Sequence, residues 1–137
     1  MNKKTQKRVN IRSGSPWEPV AGYSRAVRLG QFIAVSGTTA VSASGEVVGG
    51  QDVYLQSRQC LETIRVALEK AGASLEDVVR TRIYTTDISQ WEAIARAHRE
   101  VFGAIAPATS MVEVRRLINP ALLVEIEADA ITGDSAG

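Results

Sequence analysis

Residues 124–131, VEIEADAI, set apolar Val124, Ile126, Ala128 and Ala130 against acidic Glu125, Glu127 and Asp129 in strict alternation. A period of two fits a half-buried strand and no helix. The first set should meet the core, and the acids should point away from it. Only two stretches offer helices to cover such a strand. Over roughly 53–71, Leu61, Ile64, Leu68 and Ala71 make one apolar stripe. Arg58, Glu62, Arg65 and Glu69 occupy the opposite face. Asp52 can cap this helix and Gly72 stop it. Over about 90–103, Trp91, Ile94, His98 and Val101 fall in line before Gly103. Two helices cover one face of one sheet, so the other face is either wet or buried by another chain.

The remaining segments supply that sheet. Residues 24–40 read as two short strands broken at Leu29-Gly30, and Gly37 after Ser36 marks a bulge or close backbone approach. Residues 78–87 alternate as a strand, with Arg80, Arg82 and Tyr84 on one face. Residues 109–117 and 122–131 form a final pair around Asn119-Pro120, and Glu113 and Arg115 share a face. Met111 and Ile131 are expected on the away-facing side, which thus mixes apolar groups with both charge signs. Residues 13–22, SGSPWEPVAG, read as an ordered loop. The order is β-β-β-α-β-α-β-β or close to it, with five of the six strands placed by these segments, in an α+β two-layer sandwich. One domain is expected over residues 1–137, with loose ends at 1–7 and 132–137.

Composition narrows function mainly by exclusion. Sixteen basic residues face 15 acids, for a formal net charge of +1, which disfavours nucleic acid as a partner. One cysteine, Cys60, excludes an intramolecular disulfide, and one histidine, His98, excludes a multi-histidine metal site. No metal or cofactor is expected, since there is no phosphate loop or dinucleotide fingerprint. No apolar run reaches membrane-span length, and no signal-peptide core follows the basic start, so a reducing cytoplasm is expected. The basic residues Lys3, Lys4, Lys7 and Arg8 read as a solubilising start.

Nothing in the spacing places Ser36, His98 and an acid as a triad. His98 lies on the apolar stripe of its helix, where a packed, hydrogen-bonded imidazole is preferred to a catalytic one. Cys60 reads as a small buried hydrophobe. Trp17 and Tyr23 can either wall a ligand cleft or close the end of the core. From spacing alone, Glu125 is one acid among three on a solvated face.

Four segments together go further: AGYSRAVRLG (21–30), FIAVSGTT (32–39), LETIRVALEKAGASLEDVVRTRIYTTDI (61–88) and PATSMVEVRRL with LLVEIEADAI (107–131). They resemble the Rid/YjgF family, also called L-PSP endoribonuclease-like proteins, over nearly the whole chain. The resemblance implies a chorismate-mutase-like fold, a homotrimer with sheets lining a central barrel, and ligand sites in clefts between subunits. It also implies hydrolysis of small reactive enamines and imines such as 2-aminoacrylate to 2-keto acids and ammonia. In the deaminase branch an arginine in Pro-Ala-Arg-Ser clamps the substrate carboxylate. Here the segment is Pro107-Ala108-Thr109-Ser110, and threonine is neutral and too short to form a fork. The asparagine often found on the helix is also missing, with Ala95 near its place. Tyr23, Ser36, Gly37 and Glu125 match the family's tyrosine, Ser-Gly and glutamate.

This places the chain on the arginine-lacking side of the family. Glu125 and Tyr23 are the expected catalytic residues. Ser36, Gly37, Thr109, Trp17 and His98 are the expected substrate-binding residues. The reading leans to a hydrolase acting on an imine- or enamine-type metabolite, with poor activity on 2-aminoacrylate. A non-catalytic ligand-binding trimer is the alternative, and an endoribonuclease or translation inhibitor is the weakest reading.

Overall fold

The computed structural model describes residues 7–133. Lys3 and Lys4, and most of both expected loose ends, lie outside them. In chain order the elements are β1 (Arg8–Ile11), α1 (Trp17–Ala21), β2 (Ala26–Leu29), β3 (Phe32–Thr39), α2 (Val53–Lys70), β4 (Val78–Thr85), α3 (Trp91–Phe102), β5 (Ala108–Glu113) and β6 (Val124–Ile131). All six strands form one mixed sheet in the order β1-β2-β3-β6-β4-β5. The α+β expectation holds, with α2 and α3 on one face.

The two long helices begin and end as their sequences dictate. The Asp52 carboxylate accepts from the Leu55 N–H at 3.1 Å, which satisfies one orphan donor of α2. Gly72 follows α2 at φ +84, a left-handed conformation natural for glycine. The inward residues Ile64 and Leu68 of α2, Ile94 and Phe102 of α3, and Ile33, Ile83, Val124 and Ile126 of the sheet are each at most 1% exposed. Cys60 is fully buried among them, and burial pushes its thiol pKa up, so it stays protonated and unreactive.

Several local expectations change. Residues 17–21 of the expected loop form one helical turn, closed by Gly22 at φ 76 with its N–H on the Glu18 carbonyl at 2.8 Å. Glu18 is 3% exposed because its carboxylate accepts from the Ser13 amide and hydroxyl. Trp91 starts α3 but is 52% exposed; only the later part of the stripe reaches the core. Thr132, in the expected loose tail, is buried, with its N–H on the Gln31 carbonyl at 2.9 Å.

The largest correction concerns the last two strands. They do not pair with each other. β5 lies parallel to β4 at the sheet edge, and β6 is inserted antiparallel between β3 and β4. The physical reason is the 12-residue α3, which carries the chain back along the sheet after β4 and so forces a parallel return. β5 also stops at Glu113, so Arg115 and Arg116 lie outside it, and strand parity says nothing about where they point. Met111 sits opposite Ile83 and packs on the core instead of facing away. Glu113 accepts from the Ile88 N–H at 3.0 Å instead of joining the charged face.

The uncovered face carries Arg82, Tyr84, Glu125, Glu127 and Asp129, with Leu29, Phe32 and Ile131 between 42% and 49% exposed at one end. Arg82 reaches both Glu127 and Asp129 at 3.3 Å, and the Tyr84 hydroxyl donates to Glu127 at 2.6 Å.

Candidate functional site

A bulge in β3 organises the first cluster. Val35 pairs with Ala128 and Thr38 with Ile126, so Ser36 and Gly37 together oppose Glu127 alone. The extra residue turns Thr38 inward to full burial. Its hydroxyl donates to the Ser36 carbonyl at 2.7 Å, and the Ser36 hydroxyl donates to the Ser24 carbonyl at 2.6 Å. Gly37 leaves the space that Glu125 fills. A Cβ there would stand 2.0 Å from Glu125 Oε2 and 2.9 Å from its Cδ.

Glu125 is half-buried by this packing. Burial, then the nearby Glu127 charge, raises its pKa above the ordinary glutamate value, with Arg25 opposing. Its carboxylate makes no hydrogen bond or ion pair with any described residue, while the neighbouring acids Glu127 and Asp129 are engaged by Arg82. None of Arg80, Arg82 and Arg115 is hydrogen-bonded or ion-paired to Glu125. On β4, Arg82 stands opposite Glu127 and Tyr84 opposite Glu125, which fixes Arg82's choice of acid.

Arg25 completes the cluster and was not among the residues selected from sequence. It lies just before β2, and the Ser36 N–H donates to its carbonyl at 3.0 Å. Its Nη2 donates to the Gly37 carbonyl at 2.7 Å, and its guanidinium lies 6.0 Å from the Tyr23 ring centroid. The usable signal was its place two residues after Tyr23.

The second cluster is on the other face. Thr109 opens β5 opposite Thr81 of β4, and the two hydroxyls are 2.5 Å apart. His98 of α3 brings Nε2 to 2.9 Å from the Thr81 hydroxyl and 3.4 Å from that of Thr109. Its ring packs against Phe102 with centroids 4.8 Å apart. Burial lowers its pKa, so the imidazole is neutral near pH 7 and trades one hydrogen bond with a threonine. The packed, hydrogen-bonded reading of His98 matches this geometry.

One chain thus brings together Tyr23, Ser36, Gly37 and Glu125 but not Thr109 and His98. Two strand spacings, about 10 Å, separate β5 from β6, and the side chains point to opposite faces. A single-chain site holding all of them is ruled out by this topology. Trp17 is 54% exposed and closes no part of the core. A shallow cavity of about 540 Å³ on the uncovered face is lined by Tyr23, Ser36, Arg8, Glu127 and Asp129, but not by Glu125, Thr109 or His98. Among the described residues, no group of three metal-ligating side chains could hold an ion, and no helix is long and apolar enough to cross a membrane.

Residues 14–132 match the model of the family described as endoribonuclease L-PSP. The chain belongs to this family, the Rid/YjgF proteins. A solved member of the YjgF/YER057c/UK114 family from Mycobacterium tuberculosis is 52% identical, superposes with a TM-score of 0.85, and matches over 92% of this chain and 100% of that one. The 3-aminoacrylate deaminase RutC of Acinetobacter baylyi is 34% identical over 90% of this chain and 97% of its own length. The structure of E. coli TdcF with bound serine is 27% identical, with a TM-score of 0.76 and coverage of 90% and 94%. Both solved structures cover at least 90% of this Rid/YjgF chain.

Proposed function

We propose that this Rid/YjgF protein hydrolyses a small imine- or enamine-type metabolite at Glu125, in a cleft closed by a second copy of the chain. The observation that carries the reading is the Glu125 carboxylate, half-buried over Gly37 and without a hydrogen-bond partner among the described residues. An unengaged, partly desolvated carboxylate is suited to activating water. It takes a proton as the water oxygen adds to the imine carbon. The carboxyl returns that proton to nitrogen, giving a carbinolamine; it then takes the hydroxyl proton as the C=O bond forms and passes it to nitrogen as the C–N bond breaks, so that a carbonyl compound and ammonia leave. Tyr23 walls the cleft, and Ser36 and Gly37 shape its floor. Thr109, oriented by Thr81 and His98, offers one neutral hydrogen bond from a neighbouring subunit. The relative named as an aminoacrylate deaminase and the one holding serine support a small amino-acid-like ligand. A formal charge of +1 gives the endoribonuclease name little electrostatic support.

The assembly we expect is a homotrimer, as the family resemblance implies, with Thr109 and Glu125 meeting across a subunit boundary. Light scattering at micromolar concentration should give three times the 14.7 kDa chain mass. A stable monomer would remove the shared cleft.

Activity on 2-aminoacrylate generated in situ should be about a hundredfold or more below that of an arginine-containing homologue. The reason is that a charged bidentate contact to carboxylate is missing at Thr109. Pyruvate release measures this. Thr109→Arg should raise the rate, and equal rates in the two wild-type proteins would show that another group replaces the clamp.

A further inference from the structure

We propose that Arg25 is the anion-binding, specificity-determining residue of the Glu125 cleft, and that the ligand it selects is a small carboxylate. This rests on the reading of Tyr23, Gly37 and Glu125 as the ligand site. Arg25 forms no ion pair with any described residue. Its Nη2 is spent on the Gly37 carbonyl, and its Nε is buried without a hydrogen-bond partner. A buried donor left unmade is unfavourable by itself, and an arginine carries five donors arranged as a fork for oxyanions. The guanidinium is also anchored to the residue against which Glu125 packs, so an anion bound there lies beside the proposed base.

The position differs from that of the family's clamp. Thr109 occupies the clamp's place on the helix-covered side of the β5 edge, while Arg25 stands on the uncovered side beside Tyr23. A carboxylate held by Arg25 therefore takes another orientation, and Arg25 is no in-place substitute for the missing arginine. The fork also needs some room. The ligand must draw the side chain slightly outward to reach Nε, which is buried.

The test is a binding titration with pyruvate and, as its neutral counterpart, pyruvamide, followed by NMR shifts of the intact protein. The wild type should bind pyruvate at least about tenfold tighter than pyruvamide, as expected for one charge-assisted contact. Arg25→Gln should abolish that preference without weakening pyruvamide, and Arg25→Lys should keep part of it. Arg25→Met, which retains the apolar stem, replaces the Gln variant should that fail to fold. Equal affinities of the wild type for the two probes, or an undiminished preference in the Gln or Met variant, would overturn the assignment. Turnover reports separately on the hydrolase reading. Loss of pyruvate binding in the variant of a protein that hydrolyses no imine keeps Arg25 and discards hydrolysis. Unchanged kcat and KM in the variant of an active enzyme does the reverse.

Discussion

Glu125→Gln is expected to reduce the proposed imine turnover by about 10²–10⁴-fold while leaving the fold and the proposed trimer in place. Glutamine fills nearly the same volume over Gly37 but cannot accept the water proton. No described residue loses a hydrogen bond, since the Glu125 carboxylate makes none. The wild-type rate should rise with pH along an acid limb whose midpoint lies above the ordinary glutamate value of 4.5, because burial and Glu127 favour the protonated form. The stability effect has a definite sign. A carboxyl whose folded pKa is raised binds more protons folded than unfolded across the window between the two values. The wild type therefore loses stability as pH rises through that window, and the variant does not. Melting at about pH 8 should favour Glu125→Gln, with the difference gone near pH 4. Dissociation of the trimer in this variant would instead assign Glu125 to holding subunits together.

Gly37→Ala should separate activity from stability in a second way. The new Cβ would overlap Glu125 Oε2, at 2.0 Å, but the colliding group is the free end of a flexible side chain. Rotating Glu125 away costs about 0.5–1.5 kcal/mol, so the melting temperature should fall only slightly. Turnover should fall by about a hundredfold, since a shift near 1 Å in a reacting group has that effect. The acid limb of the rate profile should also move down towards the ordinary glutamate value, because the displaced carboxylate gains solvent. An unchanged profile and rate would show that Glu125 does its work elsewhere.

Both outcomes hinge on a bulge that local sequence only hinted at. Ser36-Gly37 suggested a bulge or a close approach, and both occur. That Glu125, 88 positions further on, is what approaches depends on the β3–β6 register. The face of Glu125 was legible because alternation along β6 allows only one assignment once Val124 and Ile126 are committed to the core. The face of Thr109 was not legible for a related reason. Parity fixes a face only relative to a known partner, and the last two strands read as a pair, whereas β5 pairs with β4. Arg25 went unselected because a charged residue beside a strand is most often solvated. Its unspent donor exists only once Gly37 is packed against it.

Periodicity, caps and stops thus determined α2 and α3, the strands β2, β3, β4 and β6, the buried face of β6, and the fact that two helices leave one sheet face uncovered. These are local consequences of backbone geometry and apolar spacing, and they need no knowledge of distant residues. Strand order, the parallel return of β5, and the division of the candidate residues between two faces were decided only by the tertiary structure. Many strand pairings bury the same apolar residues nearly as well. The choice among them is made by how α3 returns the chain and how the whole core packs, a long-range property that no segment encodes alone.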